Sequence, residues 1–306
     1  MNLQLENQKI LVTGATGFIG RHLTEELLRR KLDVTVLIHR KSHPSFENGK
    51  TQVIQADICD FPDLQMFDVI FHLAASINVS DCLKNPRKTF EVNVLGTLNL
   101  LEKTKESVKR FVFTSTMGVY GRAEKIPTDE DQPLLPRGLY ATSKLAAENV
   151  ILSYKRSCGV NAVIARIANC YGEEQNDDLI IPCIIQQILT KNVVELGCTT
   201  TVRDFIYIKD VVTAIILLAE KGEADIYNVG SGIGTPVGKL PEILADITNK
   251  YLQVFSLKNR TRDLSLEIDQ SVADISKICK LDWSVKYSLL EGLQRTCDYY
   301  CQKMKL

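Results

Sequence analysis

An α/β fold, a doubly wound parallel sheet with a smaller interleaved C-terminal lobe, is what this chain predicts from its rhythm. Three observations carry the prediction. Apolar runs at 9–13, 33–38, 52–55, 68–73, 110–114 and 161–167 read as strands. Helical patterns at 18–30, 87–108 and 140–157 lie between them. Runs such as Val69-Ile70-Phe71 are apolar throughout, as in strands covered on both faces. Helices joining parallel strands imply right-handed crossovers.

The first strand, Ile10-Leu11-Val12, enters the turn Thr13-Gly14-Ala15-Thr16-Gly17-Phe18-Ile19-Gly20. A helix follows, with Leu23, Leu27 and Leu28 on one face. Strand, glycine turn, helix is the setting of a phosphate cradle. Glycines admit a pyrophosphate close to the backbone, and the helix start supplies unpaired N–H groups. The spacing is Gly-x-x-Gly-x-x-Gly rather than Gly-x-Gly-x-x-Gly. After residue 169 the rhythm changes. The loop Gly172 to Asp178 precedes a helix near 180–190, a strand near 205–208, a helix at 210–221 and the run Ile226-Tyr227-Asn228-Val229. The larger domain is therefore expected to hold 1–168 plus about 205–230, and the smaller lobe 169–204 plus 231–306.

Bulk charge excludes several partners. Lysine plus arginine equals aspartate plus glutamate at 37 each, within 306 residues. Nothing attracts nucleic acid or an anionic membrane, so anionic ligands must meet local arginines. The polar start and the lack of a long apolar run predict a cytoplasmic protein. Nine scattered cysteines without Cys-x-x-Cys, beside four histidines, predict reduced thiols and no metal site.

Tyr140-Ala141-Thr142-Ser143-Lys144 places a phenol and an amine four residues apart on one helix face. An ammonium there is expected to lower the phenol's pKa towards neutrality, so that it trades a proton with a sugar oxygen. Upstream, the strand Phe111-Val112-Phe113 ends in Thr114-Ser115-Thr116. Ligands gather at such carboxyl ends, although these hydroxyls equally suit capping of a turn.

Taken together, the chain resembles the extended short-chain dehydrogenase/reductases of the nucleotide-sugar epimerase/dehydratase group, which are Rossmann proteins. The matching pieces are residues 13–20, Asp57-Ile58, His72-Leu73-Ala74-Ala75, Asn93 to Thr97, residues 114–121, 140–144, Arg166 to Asn169, 203–210 and Tyr227 to Gly230. The resemblance implies that Tyr140 is the acid/base, Lys144 its pKa-setter and ribose anchor, and Thr116 the hydroxyl that orients the sugar. It assigns Gly14, Thr16, Gly17, Phe18, Ile19, Leu73, Ala74, Ala75 and Thr114 to the dinucleotide, and Asp57 and Ile58 to its adenine. Ser76, Asn169, Arg203 and Arg260 would meet the nucleotide-diphosphate sugar. Guanidinium forks match phosphate oxygens, while Arg203 alternatively pairs with Asp204 or Asp210. Arg262 stands where the family pattern after Arg260 has glycine. Relatives often dimerise through the helices at 87–108 and 140–157, so a homodimer is implied.

Two departures bear on the reaction. Met117-Gly118 replace the Asp-Glu with which the group's dehydratases move protons, and neither can do so. At the end of the second strand, where NAD-binding folds usually carry an acid for the ribose, stand Ile38, His39, Arg40 and Lys41. This favours NADP(H), with Arg40 on the 2′-phosphate and Arg21 as a second contact; NAD(H) is the alternative. The reading is an NADP(H)-dependent reductase of an NDP-4-keto-6-deoxyhexose. Its alternatives are an NAD-dependent UDP-hexose 4-epimerase and a non-catalytic NADP(H)-sensing module.

Overall fold

In the computed structural model, residues 3–39, 46, 51–61, 67–191, 193–197, 199–250, 253–256 and 268–304 are described. Seven strands form one parallel sheet in the order β10-β6-β5-β4-β1-β2-β3. They are β1 (Lys9–Thr13), β2 (Asp33–Ile38), β3 (Gln52–Gln55), β4 (Val69–His72), β5 (Arg110–Thr116), β6 (Ala162–Ile167) and β10 (Ile226–Val229). Strand order reverses between β1 and β4, which opens a crevice above their carboxyl ends.

Alternation along each strand feeds two cores. Ile10, Val12, Val34, Val36, Val69 and Phe71 face one side, under α1 (Phe18–Arg29) and α7 (Ile208–Lys221). Leu11, Leu37, Ile70, Phe111 and Phe113 face the other, under α4 (Gly96–Thr104) and α5 (Leu139–Cys158). Both faces are dry, which is why these strands read as continuous apolar runs.

The pattern at 87–108 does not form one helix. It divides into α3 (Pro86–Phe90), a π-turn (Glu91–Leu95) and α4. A π-turn is defined by its i→i+5 hydrogen bonds, and Glu91-Val92-Asn93-Val94-Leu95 carry no residue pattern that announces it.

The smaller lobe holds β7 (Asn169–Tyr171), β9 (Val202–Tyr207), β11 (Gly234–Pro236) and β13 (Gln270–Ser271) in a second sheet, and β8 (Val193–Leu196) paired with β12 (Gln253–Ser256). The strand expected near 205–208 is β9, and it belongs to this second sheet. The chain rejoins the large sheet through α7 and β10. Helices α6 (Ile180–Lys191), α8 (Leu240–Thr248) and α10 (Leu289–Lys303) pack together, with α6 against β8 and α10 against β9. The eight described cysteines are free thiols. Among the described residues no cluster of side chains is built to hold a metal, and no helix is long and apolar enough to cross a membrane.

Candidate active site

A cavity of about 580 Å³ lies at the crevice, within the range of small-molecule sites. One wall is the glycine turn. Gly14 has φ +72°, and a Cβ there would lie 2.6 Å from the Ala74 nitrogen; at Gly20 it would lie 2.1 Å from the Gly14 oxygen. Only glycine lets the turn pack this tightly. The N-cap of α1 is Gly17, whose lack of a side chain leaves the first-turn N–H groups uncapped, and no acidic residue stands in that turn. Those N–H groups and the helix dipole favour a pyrophosphate. The residues therefore fit a dinucleotide.

Beneath the turn sits a buried clamp. His72 meets Thr13 Oγ1 at 2.7 Å through Nδ1 and Thr97 Oγ1 at 2.9 Å through Nε2. Thr13 Oγ1 also accepts the Ala74 N–H. Burial holds His72 down at about 3, so it stays neutral. The clamp fixes strand β1, the 73–76 loop and α4 to one another.

Asn93, in the π-turn, does the same on the opposite side. Its carbonyl accepts the Ser76 N–H at 2.7 Å, and its amide donates to Ser76 O and to Ser143 Oγ. Ser143 Oγ in turn donates to Tyr140 O. The sequence marks Asn93 only as part of a motif; the π-turn that aims it inward is visible only in three dimensions.

Most of the predicted site residues come together here. Gly14, Thr16, Gly17, Phe18, Ile19, Asp57, Ile58, Leu73, Ala74, Ala75, Ser76, Thr114, Thr116, Tyr140 and Lys144 all line the cavity. So do His39, which sequence reasoning placed only among the basic residues after the second strand, and Lys88, Val92, Ile167, Ala168 and Cys170, to which it assigned no cavity wall. Lys88 and Cys170 carry no local signal that would have singled them out. Thr116 lines the cavity and also caps the turn that follows, its Oγ1 accepting the Gly118 N–H at 3.1 Å.

Other residues stand elsewhere. Arg21 does not reach towards a 2′-phosphate: it forms an ion pair with Glu174 at 2.8 Å and donates to Glu174 O, tying α1 to the 172–178 loop. Asn169 is exposed, between the cavity residues Ala168 and Cys170. Arg203 is half-buried on β9, with one N–H on Val202 O. The carboxylates suggested as its partners are engaged by backbone: Asp204 by Ser231, Gly232 and Ala273, and Asp210 by Lys286 and Tyr287. Arg40, Lys41, Arg260 and Arg262 lie outside the described residues.

The electrostatics of the Tyr–Lys pair differ from the expectation. Burial pushes the Tyr140 phenol up to about 12, with the Cys82 thiol adding to it. Burial pushes the Lys144 amine down to about 7, against the pull of Glu148. Lys144 Nζ sits 4.0 Å from the centre of the Phe113 ring. Desolvation disfavours both charged forms and outweighs any help the ammonium gives the phenolate. At the other end, His39 Nε2 lies 3.3 Å and Lys88 Nζ 3.9 Å from Asp57 Oδ2. The Cys59 N–H, then the Cys59 thiol and these two basic side chains, hold that carboxyl below its ordinary value.

The NAD dependent epimerase/dehydratase family model matches residues 10–230. The crystal structure of Thermus thermophilus UDP-glucose 4-epimerase in complex with NAD superposes with a TM-score of 0.87 at 30% identity, covering 95% of this chain and 98% of that one. GDP-6-deoxy-D-mannose reductase of Pseudomonas aeruginosa is 33% identical over 266 residues, 83% of this chain and 85% of that protein. UDP-glucuronic acid decarboxylase 1 of Arabidopsis thaliana is 32% identical over 94% of this chain and 68% of that protein. The chain belongs to the NAD dependent epimerase/dehydratase family of sugar-nucleotide enzymes.

Proposed function

From that membership we propose that the protein is an oxidoreductase acting at C4 of a nucleotide-linked hexose, and that it works as an NADP(H)-dependent reductase of an NDP-4-keto-6-deoxyhexose. The observation that carries the reading is the meeting of Thr116, Tyr140 and Lys144 with the glycine turn in one cavity, followed by Met117-Gly118, which offer no acid or base for dehydration.

In the cavity lined by the glycine turn, Thr116, Tyr140 and Lys144, a bound nicotinamide would supply a hydride for C4. Tyr140 gives its proton to the oxygen, and the ketone becomes an alcohol. A phenol held near 12 is protonated at neutral pH, which is the form a reduction needs at its start. Thr116 Oγ1 already accepts the Gly118 N–H, which leaves its own hydrogen to donate to the same ketone oxygen. Holding carbonyl and nicotinamide together supplies much of the advantage. Arg203, Asn169 and Arg260 are the proposed contacts for the substrate's diphosphate, and Ser76 for the sugar. The basic side chains His39 and Lys88 beside Asp57 and the lack of an acid after Ile38 support a 2′-phosphate at that end.

A second reading is an NAD-retaining UDP-hexose 4-epimerase, favoured by the NAD-bound Thermus epimerase. One experiment separates the two. Purified protein incubated with NADPH and an NDP-4-keto-6-deoxyhexose is expected to consume the NADPH. Co-purified NAD and interconversion of UDP-hexoses without added cofactor would support the epimerase instead. A homodimer through α4 and α5 is proposed alongside; light scattering at twice the 34.3 kDa chain mass would support it.

A further inference from the structure

Tyr140, Lys144 and Glu148 stand at four-residue intervals along α5, on one face. Glu148 is 0% and Arg166 1% exposed. Glu148 accepts from Ser115 Oγ and from Arg166, at 2.7 Å through Nη2 and at 3.2 Å through Nε. The far side of Arg166 donates to the Tyr120 hydroxyl at 2.8 Å, which donates to Asn228 Oδ1 at 2.8 Å. The Asn228 amide donates to Thr128 O and Asp274 O. The path ends beside Ala273, whose N–H is held by Asp204, the neighbour of Arg203.

A buried ion pair is weak evidence of stability, because apolar residues of like volume fill a core as well. The placement of this pair asks for another explanation. Ser115 precedes Thr116 on β5, and Glu148 is one helical turn from Lys144. We propose that Glu148 is a positioning residue of the reaction: with Ser115 and Arg166 it fixes α5 against the end of β5, and its carboxylate one turn from Lys144 favours the protonated form of that amine. The proposal rests on the reading of Tyr140 and Lys144 as the acid/base pair.

The groups facing Lys144 are few. Its own helix supplies Tyr140 and Glu148. Strand β4 supplies His72, which burial keeps neutral. Strand β5 supplies the Phe113 ring, while Arg166 of β6 is engaged by Glu148 and the Tyr120 hydroxyl. Glu148 is thus the anion that opposes the burial of Lys144.

The test is a titration of Lys144 in the full chain with NADP⁺, followed by NMR of ¹³Cε-labelled lysine and assigned with Lys144→Met. Glu148→Gln is expected to lower the midpoint by about one pH unit. It should also cut kcat about tenfold or more while KM for the ketosugar stays within about twofold. Glu148→Asp, which keeps the charge, should return the midpoint towards the parent value. The double variant Glu148→Gln/Arg166→Met leaves no unpaired buried charge, so it gives the same reading if Glu148→Gln does not fold; its midpoint should remain low. An unmoved midpoint in Glu148→Gln, or a parental one in the double variant, overturns the proposal. The titration needs no turnover, so failure to reduce a ketosugar would remove the proposed substrate and leave Glu148 to be judged on the midpoint.

Discussion

At the Tyr140 end of the cavity Lys144 is 2% exposed, and the carboxylate one turn along the helix is fully buried in an ion pair. At the Asp57 end the His39 side chain is 50% exposed and that of Lys88 53%, and both reach Asp57 across more than 3 Å. The same kinds of group therefore do different work. In the dry end, desolvation moves proton affinities by units and sets which form is present when chemistry begins. In the wet end, water and salt screen the charges, and each contact is worth about 1 kcal/mol or less. The proposed proton transfer therefore lies where electrostatics is strong, and the proposed selection between similar dinucleotides where it is weak and adjustable.

The contrast breaks first at the dry end. Tyr140→Phe is expected to lower kcat about a hundredfold or more, with little change in melting temperature or dinucleotide binding. Steady-state kinetics beside a thermal melt would check it, and near-parental kcat would remove the phenol from the mechanism.

The next test is of pH. His72 is held at about 3 when folded against about 6.5 unfolded. Between those values the unfolded chain binds the extra proton, so stability should fall as pH drops from about 6.5 to about 3. The loss is on the order of 4 kcal/mol at the bottom of the window. Denaturant unfolding at several pH values would measure it, and His72→Gln should flatten the slope in that window.

Between the two ends lies the glycine turn. Gly20→Ala puts a methyl 2.1 Å from the Gly14 oxygen, so the cradle must shift. Dinucleotide Kd should rise about tenfold or more, worth about 1.4 kcal/mol, as read by NAD(P)H fluorescence. The smallest effect belongs to the wet end. Lys88→Ala should change the NADP-to-NAD preference only about two- to fivefold, and the change should fade at high salt. A salt-independent, hundredfold change would show that this end is not screened after all.

Much of the fold is legible in the sequence because strands buried on both faces leave uninterrupted apolar runs, and Ile10-Leu11-Val12 and Val69-Ile70-Phe71 sit where those runs put them. The glycine turn is legible because a strand running into glycines and then a helix has few other uses. The π-turn at Glu91–Leu95 is not, since it is a change of hydrogen-bond pattern with no residue signature, and the residues buried around it include Asn93 and Thr97 rather than Phe90 or Val94. The small strands β7, β8, β11, β12 and β13 are not either, being two to four residues long, too short to show alternation. The partner of Arg21 escapes a local reading because Glu174, 153 residues away, becomes its neighbour only on folding.

By itself the order of residues determined the doubly wound sheet and the place of the glycine turn, because backbone periodicity is a local rule repeated along a chain, while the resemblance to a known family implied the meeting of Thr116, Tyr140 and Lys144. Tertiary structure alone decided the charge states at that meeting. How strongly water is excluded from Tyr140 and Lys144 depends on β4, β5 and β6 closing around them, and desolvation is a property of the whole enclosure rather than of any four-residue spacing.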